Sequence, residues 1–125
     1  MGRAQHRVAI DLGTCHTVAV VRRGAEPPRA VLFDGTPLLP SGVYAGPDGS
    51  IMVGRDAERM AGLEPSRFEP YPKRRVDEHT VLLGSSEIRV VDLLAAVLER
   101  VVVEARQAGV EPVGGTVLSC PADWG

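Results

Sequence analysis

The sequence predicts a mixed α/β fold in which hairpin strands come first and a parallel strand follows a long helix. Two runs of β-branched and apolar residues, Val8–Leu12 and Thr17–Val21, flank a short polar turn and indicate a hairpin. Periodic apolar residues between Asp92 and Ala108 indicate a helix, and the apolar run Thr116–Cys120 follows it. Such a strand–helix–strand passage favours parallel pairing, here beside the first strand.

Short strands and one short helix are predicted between these elements. A third strand at Ala30–Phe33 completes a three-stranded meander, and Leu38–Gly42 is an extended crossing because residues before proline leave the helical region. Further along, the pattern predicts a hairpin of Val43–Ala45 and Ile51–Val53, a helix from Gly54 to Gly62 that buries Ala57, Met60 and Ala61, and a hairpin of Thr80–Leu83 and Glu87–Val90. The proline-containing segment 63–79 lacks periodicity, and Phe68 and Tyr71 are expected to anchor it to the core.

The long helix is expected to begin with Asp92 as its N-cap and to end just before Gly109. One stripe of this helix is apolar and is predicted to face the core: Leu94, Val97, Leu98, Val101, Val102 and Ala105. Its charged residues lie mostly off that stripe, so no partner-binding role is expected for it.

Length and composition describe one globular domain of 125 residues with a net charge of −2. This charge gives no sign of nucleic-acid or anionic-membrane binding. No apolar run reaches the roughly 20 residues that span a bilayer, and Asp11 interrupts the N-terminal apolar run, so no signal peptide is expected. Two cysteines, Cys15 and Cys120, make no disulfide framework, which favours a cytoplasmic location. If the two approach each other, a redox switch remains open beside the ordinary interpretation of a small buried side chain.

The first hairpin carries the residue types of a phosphate site. Asp11 ends the first strand, where a metal could be reached, and Gly13 has no Cβ and lets the backbone approach a ligand closely. Residues 14–17 then offer backbone N–H groups and hydroxyls to an anion. The alternative is an ordinary hairpin turn, since Asp and Gly are favoured turn residues in any protein.

Lys73 is the only lysine among the 14 Lys and Arg residues. An ammonium is a compact point charge, unlike the flat guanidinium fork, so this exception suggests that position 73 requires an ammonium. The alternative is a solvated basic cluster that Lys73 forms with Arg74 and Arg75.

Five segments, taken in order, resemble the N-terminal part of the ATPase domain of the 70-kilodalton heat-shock chaperone (DnaK-like) family, within the actin-like ATPase superfamily. They are Ile10–Cys15 for the first phosphate motif, Leu39–Val43 for the Pro-Ser segment, Val53–Ala57 for the Val-Gly-x-x-Ala segment, Pro72–Arg74 for the lysine segment and Val117–Trp124 for the Val-Pro-Ala-x-Phe strand end. No one motif is specific, whereas the five in sequence are.

This resemblance implies that residues 1–125 form the N-terminal lobe of an actin-like ATPase (ribonuclease H-like) domain. It implies a molecular chaperone of protein folding and the stress response that binds ATP or ADP with Mg²⁺, and with K⁺ as a further cation. Unfolded client proteins and co-chaperones would be met only through domains that this chain lacks.

The resemblance also assigns site residues. Asp11 and Lys73 are the catalytic residues it implies: Asp11 holds Mg²⁺ through water, and Lys73 reaches the γ-phosphate and the attacking water. Nucleotide binding is assigned to Asp11, Gly13, Thr14, Cys15 and His16. Pro121 matches a proline that relays the nucleotide state.

Two departures from the family pattern matter. Cys15 stands where the family has Thr or Ser, and a thiol is a poor ligand for Mg²⁺. The chain also ends before the family's second phosphate loop, adenosine-binding segment and general-base carboxylates, so we expect a fragment or truncated product with negligible turnover by itself. The alternative classes are an actin-like cytoskeletal protein, a sugar kinase fragment and a non-catalytic binding module.

Overall fold

The computed structural model describes residues 6–112 and the backbone of residues 116–119. This part of the chain is a mixed α/β fold. Its strands are β1 (Arg7–Leu12), β2 (His16–Arg22), β3 (Arg29–Ala30), β4 (Leu39–Pro40), β5 (Val43–Ala45), β6 (Ile51–Val53), β7 (Phe68–Glu69), β8 (Thr80–Leu83), β9 (Ser86–Arg89) and β10 (Thr116–Ser119). Its α-helices are α1 (Gly54–Ala61) and α2 (Val90–Gln107), and two 3-10 helices cover Pro65–Arg67 and Pro72–Glu78.

The main sheet has the strand order β10-β1-β2-β3, and β4 pairs with the start of β2. β1 runs antiparallel to β2 and parallel to β10, with Asp11 opposite Ser119 in the parallel pair. The parallel strand after the long helix therefore lies where the strand–helix–strand passage predicts. The described residues do not include Cys120, Pro121 or Trp124.

Alternation along β1 and β2 buries one face of this sheet and exposes the other. In β1 the side chains of Val8, Ile10 and Leu12 are buried, while those of Arg7, Ala9 and Asp11 are exposed. The inward side chains join those of α2 and the middle strands in one core: Val8, Ile10, Leu12, Ala19, Val21, Val31, Phe33, Leu39, Val43, Leu93, Val97, Val101 and Ala105 are among its members. Asp11 is thereby placed on the opposite face of the sheet from this core.

The helix α2 begins two residues before the predicted start. Arg89 occupies the N-cap position, and the Val90 N–H donates to the carbonyl of His79 at 2.8 Å, which draws the helix start back to the end of β9. The expectation that Asp92 caps the helix is therefore wrong. Asp92 lies in the first turn instead, where its carboxylate pairs with Arg89 at 3.0 Å.

The buried line of α2 is also rotated from the predicted stripe. Leu93 is fully buried, whereas Leu94, Leu98 and Val102 are only half-buried at the edge of the core. The fully buried side chains of the helix are Val90, Leu93, Val97, Val101 and Ala105. After the helix, Gly109 takes a positive φ of 86°, as expected of a residue that follows a helix end.

The third strand is shorter than predicted. Only Arg29 and Ala30 pair with β2, and Val31 adds one hydrogen bond from its N–H to the Ala19 carbonyl at 2.9 Å. Phe33 instead bridges to Thr36, because positive φ angles at the two residues between them turn the chain sharply.

The middle of the chain follows the predicted hairpins and helix. β5–β6 and β8–β9 are antiparallel pairs, and α1 ends at Ala61 with Ala57 fully buried. The prediction that Met60 and Ala61 are buried with it is wrong, because both are only half-buried at the end of this short helix. Phe68 contacts the backbone at Gly42, where an added Cβ would lie 2.5 Å from its ring. Tyr71 does not anchor the segment: it is 39% exposed and its ring lies 4.8 Å under the guanidinium of Arg74, so that prediction is wrong.

Candidate functional site

The bend between β1 and β2 consists of Gly13, Thr14 and Cys15, and Leu12 pairs with Thr17 across it. The thiol of Cys15 is free and exposed, and Asp11 and His16 are exposed beside it. The polar residues that the sequence analysis assigns to nucleotide therefore lie together on one accessible bend at the end of the first strand.

Glycine at position 13 is required by the close approach of the two ends of the bend. A Cβ built on Gly13 would lie 2.2 Å from the carbonyl oxygen of His16, a distance that Cβ atoms do not adopt. This contact is with backbone, which cannot swing aside as a flexible side chain would. The bend can close in this shape only without a side chain at position 13.

Ser41, at the end of the β4 crossing, is bonded to both ends of the bend. Its hydroxyl donates to the Gly13 carbonyl at 3.0 Å, and its N–H donates to the Cys15 carbonyl at 2.9 Å. The side chain is almost completely buried, and its Oγ lies 3.3 Å from the Oγ1 of the fully buried Thr17. Both contacts to the bend use its carbonyl groups as acceptors.

This arrangement determines where one N–H group of the bend points. The peptide bonds are trans, so the carbonyl of one residue and the N–H of the next point in opposite directions. The Gly13 carbonyl faces the Ser41 hydroxyl, and the Thr14 N–H therefore points away from Ser41. An N–H group held outward in this way is what an anion-binding turn requires.

Lys73 comes to the bend from the 3-10 helix Pro72–Glu78. Its Nζ donates to the carbonyl of Leu12 at 2.6 Å, across 61 residues of sequence. The residue is only 4% exposed, whereas Arg74 and Arg75 are exposed. The basic cluster is thus divided: its two arginines face solvent, and its ammonium lies against the residue between Asp11 and Gly13.

The start of this 3-10 helix is held by a buried carboxylate. Glu69 accepts a hydrogen bond from the Tyr71 N–H at 2.8 Å and another from the Arg75 Nε at 2.9 Å. Arg75 also donates to Glu78, and the hydrogen bond to Glu78, then the charge of Glu69, raise the pKa of its guanidinium. These contacts position the residues on both sides of Lys73 in the sequence. They therefore determine the direction from which its ammonium reaches the bend.

The carboxylate of Asp11 suits a hydrated Mg²⁺ better than a bare one. Among the side chains described for residues 6–112, no group of three or more His, Cys, Asp or Glu is placed to hold a metal. Mg²⁺ usually keeps several waters and takes one or two carboxylates together with substrate phosphates. A single exposed carboxylate beside a candidate anion-binding bend fits that second pattern, in which Asp11 would reach the ion through water.

Sequence reasoning missed Ser41 as a site residue and noted it only as part of the extended crossing and the Pro-Ser segment. The expectation that the Thr17 hydroxyl is offered to an anion is wrong, because this side chain is fully buried against Ser41. A signal was present, since a polar side chain in an otherwise apolar crossing needs a partner when it is buried. Cys120, the expected neighbour of Cys15, lies outside the described residues.

These features together define a mixed α/β protein with a candidate anion-binding hairpin, built on the first two strands of a sheet that also has a parallel strand. In sequence, the chain is similar to DnaK chaperones at a modest level of identity. The chain is 29% identical to the chaperone protein DnaK of Cenarchaeum symbiosum (strain A), over 92% of this chain and 18% of the relative.

Two further relatives are also DnaK proteins of similar identity. The chaperone protein DnaK of Halobacterium salinarum (strain ATCC 29341 / DSM 671 / R1) is 28% identical over 92% of this chain and 18% of its own length. The chaperone protein dnaK3 of Thermosynechococcus vestitus (strain NIES-2133 / IAM M-273 / BP-1) is 30% identical over 92% of this chain and 21% of its own length. The resemblance to DnaK-like chaperones is confirmed, and the chain spans about a fifth of the length of these relatives.

No protein-family model matches the chain. In the part that the structure describes, neither helix has the length and apolar character needed to cross a bilayer.

Proposed function

We propose that residues 1–125 form the N-terminal lobe of an actin-like, ribonuclease H-like ATPase domain of a DnaK-like chaperone, and that the bend Gly13–Cys15 binds the phosphates of Mg-ATP. One observation carries this proposal: the only lysine of the chain is buried with its Nζ 2.6 Å from Leu12, directly beside the glycine bend. Burial of an ammonium is costly, and such a group is retained where its charge is used.

In this proposal the residues of the bend and those beside it have different roles in binding Mg-ATP. The backbone N–H groups from Gly13 to His16 bind the β- and γ-phosphates, and Asp11 holds Mg²⁺ through water. Lys73 supplies positive charge to the γ-phosphate, where negative charge accumulates during phosphoryl transfer. Cys15 contributes its backbone rather than its thiol, because Mg²⁺ and K⁺ prefer oxygen ligands.

The wider functions follow from the named relatives. The chain would serve a cytoplasmic ATP-dependent chaperone of protein folding and the stress response, and client proteins and co-chaperones would be bound by other parts of the full-length protein. The DnaK relatives favour this function over an actin-like cytoskeletal protein, a sugar kinase fragment or a non-catalytic binding module.

Titration of the ¹⁵N-labelled 125-residue chain with Mg-ATP tests the proposal, because NMR detects binding even at millimolar dissociation constants. We expect the largest shifts at the backbone N–H groups of residues 13–16. Lys73→Met, which keeps the side-chain length and removes the charge, should weaken binding by about tenfold or more, the loss of one charge-assisted hydrogen bond.

Arg74→Met is the matched control, since it removes an exposed cation at the next position. We expect its affinity for Mg-ATP to stay within about twofold of the unchanged chain, because an exposed charge is screened. Shifts confined to another surface, or equal losses in the two variants, would contradict the proposed site.

A further inference from the structure

We propose that Ser41 is the positioning residue of the phosphate-binding bend: its hydroxyl holds the Gly13 carbonyl inward, so that the Thr14 N–H is presented to the phosphate. The proposal rests on the function proposed above for the ligand. Its structural part, that Ser41 orders the bend, stands on the contacts of Ser41 alone.

The hydroxyl contacts have a defined direction. A serine hydroxyl has one hydrogen, and that of Ser41 is donated to the Gly13 carbonyl. In the 3.3 Å contact with Thr17 the Ser41 oxygen must therefore accept, and Thr17 donates. The result is a chain of hydrogen bonds that runs from Thr17 through Ser41 to Gly13, and each bond polarises the next.

Because both hydroxyls are buried, this series of hydrogen bonds constrains the backbone of the bend. Ser41 is 2% exposed and Thr17 is fully buried, so water cannot replace either hydroxyl without opening the core. The second contact, from the Ser41 N–H to the Cys15 carbonyl at 2.9 Å, is made by the backbone and does not depend on the side chain. Ser41 thus holds the bend at two points, of which only the first can be removed by substitution.

This division allows a specific test. Ser41→Ala removes the bond to the Gly13 carbonyl and leaves the bond to the Cys15 carbonyl in place. The N–H that shares a peptide group with Gly13 C=O is that of Thr14, and the N–H that shares one with Cys15 C=O is that of His16. A positioning role therefore predicts a large change at the Thr14 N–H and a small one at the His16 N–H.

The experiment compares ¹⁵N spectra and relaxation of the 125-residue chain with those of Ser41→Ala. We expect the Thr14 N–H to shift most and its order parameter to fall from about 0.85, typical of rigid backbone, toward about 0.6. We expect the affinity for Mg-ATP to fall by about tenfold.

Ser50→Ala is the control, because it removes a serine hydroxyl that donates to Asp48 in a separate turn. It should leave the order of the Thr14 N–H and the affinity for Mg-ATP within about twofold of the unchanged chain. If Ser41→Ala does not fold, Ser41→Cys takes its place, since a thiol of similar size is a weak donor.

Each outcome decides a separate claim. An unchanged Thr14 N–H in Ser41→Ala, or equal effects of Ser41→Ala and Ser50→Ala on that N–H, overturns the positioning role. Absence of Mg-ATP binding by the unchanged chain overturns the proposed function, and the order of the Thr14 N–H still decides whether Ser41 positions the bend.

Discussion

Gly13 shows how closely a single position limits the bend. The carbonyl of His16 occupies the space that any side chain at position 13 would need, and it belongs to the backbone of β2. Sequence reasoning identified this glycine as the point of close approach to a ligand. The structure shows that Gly13 also comes close to the His16 carbonyl, at the other end of the bend.

We therefore expect Gly13→Ala to destabilise the fold by about 1–3 kcal/mol, the usual cost of overpacking, and to abolish Mg-ATP shifts at the bend. Chemical denaturation measures the first effect and NMR titration the second. Gly62→Ala is the control: Gly62 has a helical φ of −66°, and an added Cβ would make its nearest contact at 3.4 Å. It should be neutral or stabilise the fold by up to about 1 kcal/mol. Equal losses in the two variants would contradict the steric explanation.

Residue composition drew attention to Lys73, whereas nothing in it indicated Ser41. A single lysine among many arginines is visible in the sequence, and its burial agrees with a specific role for the ammonium. The importance of Ser41 depends on a carbonyl 28 residues away, and nothing local to the sequence reports that contact. Long-range partners of buried hydroxyls are the part of this site that single-sequence reasoning cannot reach.

At the level of elements, hairpins were predicted well and the start of the long helix was not. Hairpins such as β5–β6 and β8–β9 are recognised from turn residues between two apolar runs. This pattern is local in the sequence. Asp92 has the side chain of an N-cap, but the tertiary hydrogen bond from Val90 to His79 overrides that preference. The buried line of the helix is also rotated from the predicted stripe, so that Leu93, rather than Leu94, is the fully buried leucine.

This rotation predicts unequal effects of two neighbouring substitutions. Leu93→Ala should destabilise the fold by about 2–5 kcal/mol, since it empties a fully buried site. Leu94→Ala should cost about half as much or less, because Leu94 packs only against the edge of the core. Urea denaturation of both variants measures the difference, and a larger loss for Leu94→Ala would show that the predicted stripe was correct.

The first turn of α2 also predicts a dependence on pH. A hydrogen bond from Arg89, more than its charge, lowers the pKa of Asp92 from 3.8. The stabilising contribution of Asp92 is therefore fully present above about pH 4 and is lost as the pH falls through its lower folded-state pKa. Asp92→Asn should lower the melting temperature at pH 5–6, and the difference from the unchanged chain should vanish near pH 2.

Asp77→Asn is the control for this experiment, since Asp77 is exposed and forms no ion pair with another described residue. Its melting temperature should differ little from that of the unchanged chain at either pH. A difference for Asp92→Asn that persists at pH 2 would mean that the carboxylate charge is not its source.

At the level of the whole molecule, the described chain places one carboxylate and one ammonium at the bend between β1 and β2. Phosphoryl transfer needs phosphates held on several sides and a positioned water. The curated DnaK relatives are about five times as long as this chain, which is consistent with further groups being supplied by the remainder of such proteins.

We accordingly expect the 125-residue chain to hydrolyse ATP no faster than background in a steady-state phosphate-release assay. Lys73→Ala provides the check for contaminating activity. Turnover by the unchanged chain that disappears in Lys73→Ala would contradict this expectation and would assign hydrolysis to these 125 residues alone.

The parallel pairing of β1 with β10 has a consequence for synthesis on the ribosome. The hairpin of β1 and β2 is made first, and β10 begins 94 residues after the end of β2. At about 5–20 residues per second this delay lasts on the order of 5–20 s. For that interval one edge of β1 has unpaired backbone groups beside apolar residues, a combination that invites pairing with other nascent chains. This edge of β1 would therefore need protection during translation until β10 arrives.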